Sequence, residues 1–210
     1  MIVLSFLCPH LCFLWTVPFL WYCAAVRHSV LVRVTHWITA ASFVGLLVSG
    51  IAILIAHPRL YWGETGGLDT PSLIDLPLPF VFGQSGWGRY LHFLCAWITV
   101  LAGLPYVVSL VFTRHFSKIY NPLQRLTYLG VIFILFPLMT WTGLAMSPAI
   151  TSVVPVLVTV LGGQQSARTI HFVAANLLVL FLVVHVIMVS VTGFTTQIRA
   201  MTVGEQTWAD

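Results

Sequence analysis

Charge is scarce in this chain. Of its 210 residues, five are acidic and nine are Lys or Arg, 7% together, where a soluble domain of this size carries about a quarter. A water-solvated surface over most of the polypeptide is therefore excluded. Acids are absent from every long apolar stretch: Glu64, Asp69, Asp75, Glu205 and Asp210 lie in connections or at the C-terminus. A proton-coupled transporter, which needs acidic partners for buried histidines or a repeat of broken helices, is left as a remote alternative. The basic residues form no dense cluster, so the formal charge of +4 is not that of a nucleic-acid surface. Cysteine is limited to Cys8, Cys12, Cys23 and Cys95. Cys8 and Cys12 lie one helical turn apart without a second ligand pair, which argues against zinc or iron–sulfur sites and for buried, reduced thiols.

What fills the chain instead is apolar, 59% of it. Four stretches approach the roughly 20 apolar residues that span a bilayer: Val34–Ala56, Tyr90–Phe112, Leu126–Met146 and Thr169–Phe194. The last is too long for a perpendicular crossing and predicts tilt or projection into water. If the first span begins in the cytoplasm, the inner side carries Arg27, Arg33, Arg114, Lys118, Arg125 and Arg199. The outer side then carries Arg59, Arg89 and Arg168, so the positive excess favours this orientation. The external connection His57–Gly88 is rich in Pro, Gly and aromatics and reads either as a partner-docking surface or as an ordered cap. Ala149–Gly163, interrupted by Pro155, predicts an interfacial or re-entrant piece. Residues 1–26 form an uncharged apolar segment broken by Pro9 and Pro18. A fifth helix is the preferred reading; an interfacial anchor or an upstream extension of the reading frame are the others. The organisation expected is this segment, a transmembrane domain over 27–201 and a tail over 202–210.

Within this apolar background an arginine stands one helical turn before a histidine three times: Arg33/His36, Arg89/His92 and Arg168/His171. His185 follows His171 by fourteen residues, close to four full turns, so both project from one face about 21 Å apart. Imidazoles at membrane depth are costly and rare. A haem accounts for all four, because its iron accepts two axial imidazoles and its propionates want cations near the membrane surface. Depth sets the pairing. Three residues from Arg168 to His171, fourteen on to His185 and three from His36 back to Arg33 cover about 30 Å, one hydrocarbon thickness. His36 and His185 are thus expected to hold an inner haem iron, and His92 and His171 an outer one.

The arginine three residues before His36, His92 and His171 leans in each case towards the helix N-terminus and water. Arg33, Arg89 and Arg168 are therefore expected to hold haem propionates, the alternative being arginines that snorkel at helix ends. The alternative for the histidines is helix–helix hydrogen bonding or a proton path. His57 is a competing ligand for the outer haem, while His10, His28 and His115 read as interfacial. Gly45, Gly50, Gly103 and Gly143 offer room for a porphyrin or merely close helix contacts.

These features resemble the bacterial di-haem cytochrome b subunits that anchor hydrogenases, formate dehydrogenases and thiosulfate reductases, especially the branch associated with molybdopterin-dependent oxidoreductases. The resemblance covers about 27–201. It rests on Arg33-Val-Thr-His36-Trp37, on His57-Pro-Arg-Leu-Tyr-Trp-Gly-Glu-Thr65 and on Gly88-Arg-Tyr-Leu-His92. Tyr120-Asn-Pro-Leu-Gln-Arg-Leu-Thr-Tyr128 and the His171/His185 pair complete it. It implies an all-α, four-helix transmembrane bundle in the bacterial inner membrane with two haem b. Electrons would pass between membrane quinone and a catalytic subunit on the periplasmic side, a molybdopterin enzyme or hydrogenase-like protein. Asn121, Gln124 and Arg125 are a quinone-site suggestion. The competing function is a stand-alone quinone oxidoreductase acting on a small diffusible reductant such as superoxide.

Overall fold

The computed structural model describes residues 29–67, 69–78, 84–113 and 122–204. The expectations for residues 1–26, His10, His28 and His115 lie outside them. Four long apolar helices are present among the described residues, each long enough to cross a membrane. The first, α1, runs from Val30 to Ala56, with Ser29 accepting a hydrogen bond from the Val32 amide at its start. A short antiparallel ribbon follows, β1 (Arg59–Leu60) against β2 (Ile74–Asp75). The second long helix, α2, spans Gln84–Thr113 and carries Pro105 internally.

The third crossing joins α3 (Pro122–Gly130) to α4 (Phe136–Ala145) through a π-helical turn at Val131–Leu135. There the Phe136 amide donates to the Val131 carbonyl, five residues back. Pro137 follows and has no N–H to give the preceding turn, so a widened turn at this point is a local consequence of sequence. The stretch expected at the interface, Ala149–Gly163, resolves into two single-turn helices, α5 (Pro148–Thr151) and α6 (Val156–Thr159).

The fourth long helix, α7, covers Gln164–Val191. It does not run on to Phe194 as the apolar run suggests. Gly193 adopts φ 106°, a left-handed conformation that few other residues accept, and a separate amphipathic helix, α8 (Phe194–Thr202), turns away. α8 returns to the start of α1: Trp37 Nε1 donates to the Met201 carbonyl at 3.0 Å and Arg33 to the Thr202 carbonyl at 2.7 Å.

Packing is closest within two helix pairs, α1 with α2 and α4 with α7. The buried face of α1 is Thr35, Ser42, Ser49, Ala52 and Ala56, mostly at seven-residue spacing and all small, which lets backbones approach. Gly45 faces Cys95 so closely that a Cβ there would stand 2.5 Å from its sulfur. On α7, Ala167, Ala174 and Leu178 share the buried face with His171.

The described part of the connection after α1 forms a cap bound to the start of α7. The Gly63 amide donates to Ser166 Oγ, the Gln165 amide to the Gly63 carbonyl, and Thr169 Oγ1 to the Tyr61 carbonyl. Gly163, at φ 115°, passes so near the Gly63 backbone that no side chain fits there.

Candidate haem-binding site

His171 and His185 both belong to α7, yet they meet different neighbours. His185 faces His36 of α1, with ring centroids 6.2 Å apart and planes at 58°. His171 faces His92 of α2 at 6.1 Å and 60°. The structure brings together the two pairs that depth arithmetic predicts. Each pair also bridges the two closely packed helix pairs, since α7 belongs to one while α1 and α2 form the other.

The spacing suits a shared metal ion. A metal–imidazole bond is about 2 Å long and the ring centroid lies roughly 1 Å further back, so imidazoles on opposite sides of one ion stand about 6 Å apart. Among the described residues, no three His, Cys, Asp or Glu side chains converge into a metal site. Two protein donors per site are too few for a tetrahedral zinc. They match an iron whose other four positions are filled by a macrocycle, so the donor set fits haem.

The His92/His171 pair is held by groups that periodicity does not reveal. Ser49 Oγ lies 3.0 Å from His92 Nδ1, and Thr142 Oγ1 lies 2.8 Å from His171 Nδ1. With both Nδ1 atoms engaged, Nε2 is the nitrogen left to each ring as a ligand. A Cβ on Gly50 would sit 3.8 Å from His92 Cε1, and one on Gly143 would sit 3.7 Å from His171 Cε1. The sequence signal is a dipeptide used twice, Ser49-Gly50 and Thr142-Gly143, near the C-terminal end of a long apolar helix. The glycines read from sequence as room for a porphyrin, whereas the hydroxyls beside them read as ordinary helix residues. The His36/His185 pair has aromatic walls instead: Phe181 stacks on His185 at 5.8 Å, Tyr128 meets Phe181 edge-on at 6.4 Å, and Trp37 meets His36 at 5.5 Å.

All three arginines sit on the same helices as their histidines, one turn earlier. Arg168 donates to the carbonyls of His57 and Arg59, and Arg33 to that of Thr202. Each guanidinium has five N–H groups, so these bonds leave donors for a propionate. Arg89 is exposed in the first turns of α2. His57 caps α1, exposed, and joins neither pair. Partial burial, and then the positive Arg168 and Arg89 nearby, hold its imidazole below the usual range. Asn121 and the side chains of Gln124 and Arg125 lie outside the described residues.

The sequence is 27% identical to a chain of Azospira oryzae that bears the name protein-methionine-sulfoxide reductase subunit YedZ1, an alignment covering 80% of this chain and 92% of that one. No solved structure matches. The family described as prokaryotic cytochrome b561 matches residues 27–204, which take in all four long helices and both histidine pairs. The chain therefore belongs to the prokaryotic cytochrome b561 family, multi-pass membrane proteins that bind haem b and transfer electrons.

Proposed function

We propose that this protein carries electrons across the bacterial inner membrane between the quinone pool and a catalytic redox subunit on the periplasmic side, using two haem b. The observation that carries the reading is the pair of facing imidazoles near each end of α7, at 6.1 and 6.2 Å. Haem held this way supplies one-electron Fe(III)/Fe(II) cycling with no open coordination position. His36 and His185 are the inner ligands; His92 and His171 are the outer ones. Arg33, Arg89 and Arg168 stand where propionates would reach the membrane surface.

A catalytic partner is supported by the relative's name, which makes that chain a subunit of a reductase. For this chain the partner class is a molybdopterin-dependent or hydrogenase-like oxidoreductase, docked on the outer cap. Hydrogen bonds tie that cap to Ser166, Thr169 and Arg168 of α7, close to His171, which supports docking there. At the inner end a shallow, open cleft of about 350 Å³, lined by Arg33 and Thr202 as well as Val34, Trp37, Ile38 and Met201, lies beside the ring that contacts His36 and is the proposed quinone approach.

Purified protein expressed with ample haem should give two haem b per chain by pyridine haemochrome and a low-spin spectrum. It should be reduced by quinol and reoxidised only when a partner subunit is supplied. One haem per chain, or none, overturns the di-haem reading. Turnover of superoxide against quinone by the chain alone would establish the stand-alone oxidoreductase instead.

A further inference from the structure

We propose that Ser49 and Thr142 are positioning residues that fix the tautomer and basicity of the outer imidazoles, His92 and His171, and so lower the reduction potential of the iron they hold. The inference rests on the di-haem reading and adds to it a determinant of potential confined to one of the two sites.

Proton counting on each hydroxyl carries the argument. Ser49 Oγ lies 2.6 Å from the Gly45 carbonyl of its own helix and 3.2 Å from that of Leu46. Two oxygens cannot approach to 2.6 Å with only lone pairs between them, so the hydroxyl proton lies on that line, as in the usual back-bond of Ser or Thr in a helix. A hydroxyl has one proton. The contact with His92 Nδ1 must therefore run the other way, with Nδ1–H donating to the serine oxygen and shared with the Leu46 carbonyl beside it, as the Met139 carbonyl stands beside His171. Thr142 repeats the arrangement: its Oγ1 is 2.8 Å from the Leu138 carbonyl and 3.2 Å from that of Met139, with His171 Nδ1 as its third neighbour.

Both hydroxyls belong to fully buried residues, at 0% exposure, so water does not compete for them. Both are followed by a glycine that lets the ring edge lie against the helix. The consequence is chemical. An imidazole that gives its Nδ1 proton to a fixed acceptor presents Nε2 as its lone pair and becomes a more basic ligand. A more basic ligand favours Fe(III) over Fe(II).

The test uses the full chain loaded with haem. Thr142→Val keeps the methyl and shape but removes the acceptor; Thr142→Ser does the reverse. Ser49→Ala is the corresponding deletion in α1. Redox titration with optical and electron-paramagnetic detection should show two components. Thr142→Val and Ser49→Ala should each shift the outer one towards reduction by about tenfold in equilibrium, the net worth of one hydrogen bond. For one electron that is about 59 mV. The inner component and the Thr142→Ser protein should titrate as the parent does. Selective loss of the outer haem in Thr142→Val, restored in Thr142→Ser, also upholds the proposal. Two haems with unchanged potentials in both deletions overturn it, as does a Thr142→Ser protein as perturbed as Thr142→Val, which would assign the effect to packing. The di-haem reading is judged separately, by His92→Ala: two haems retained there would remove the outer site itself.

Discussion

His171→Ala and His185→Ala should each remove one haem, and not the same one. Both residues lie on α7, fourteen positions apart, about 21 Å at helical rise. That is at least twice the 7–10 Å beyond which substitutions usually act independently. The partners differ as well, since His171 faces His92 on α2 and His185 faces His36 on α1. Each alanine leaves one imidazole at its site and two at the other. Haem content should fall from two per chain to one in each single variant and to none in the double variant. The surviving component should keep its parental midpoint. Local damage should be small: Thr142 still donates to the Leu138 carbonyl after its histidine partner is gone. Pyridine haemochrome per polypeptide gives the count, and redox titration identifies which component remains. Two haems in either single variant refute the ligand assignment. Loss of both haems from one substitution, with helicity intact, refutes the independence of the sites.

Gly45→Ala should destabilise the α1–α2 contact by about 1–3 kcal/mol, the usual cost of overpacking, because its Cβ would stand 2.5 Å from Cys95 Sγ. Adding Cys95→Ala should recover most of the lost thermal midpoint, and a Gly45→Ala chain as stable as the parent would contradict the packing described. His57 gives a pH dependence of definite sign. Its folded pKa lies below the ordinary value near 6.5 because of burial and then Arg168 and Arg89. As pH falls through about 6.5 the unfolded chain takes the proton first, so stability is complete above that value and is lost towards the lowered folded pKa. Thermal scans between about pH 5 and 7.5 should show a shallow slope that His57→Gln flattens; an equal slope in both proteins would assign the effect elsewhere.

The sequence makes the spans and the pairing of the histidines legible, because both depend on quantities that run along one helix. Hydropathy over some twenty residues finds α1, α2, the third crossing and α7 within a turn or two. The rise per residue sets the depths of His36, His92, His171 and His185. What escapes is decided between segments or at single residues. The apolar run continues past Val191, so only the left-handed Gly193 shows that α7 ends there. Ser49 and Thr142 read as ordinary helix hydroxyls, since each satisfies its own backbone carbonyl. Their second role depends on a ring from a helix forty-three residues away in one case and twenty-nine in the other. Arg168 carries the propionate signal of its spacing, but its bonds to the His57 and Arg59 carbonyls depend on how the cap folds back. Pro137 is visible; the widened turn just before it is a matter of hydrogen-bond register that hydropathy does not sense.

The arrangement of small and large residues leads to one more expectation. Within α1–α2 the contact is made by Gly45, Ser49 and Ala52 against Gly88, His92 and Cys95, and the helices close upon one another. Between that pair and α7, the residues that meet are imidazoles whose centroids stay about 6 Å apart. Only 11–17% of the most apolar window of each span is buried within the chain. Lipid covers the outward faces, but it cannot enter between facing imidazoles. A flat apolar ring can, and it would then serve as core between the two helix pairs as well as electron carrier. Binding free energy becomes folding free energy in such a case, about 4.1 kcal/mol when the ligand is a thousandfold above its dissociation constant. Cells blocked in haem synthesis should accordingly yield chain that is cleaved rapidly by added protease and melts lower than the loaded protein, and adding haem should reverse both. A haem-free chain as protease-resistant and as thermostable as the holoprotein would mean that the two helix pairs hold together without the cofactor.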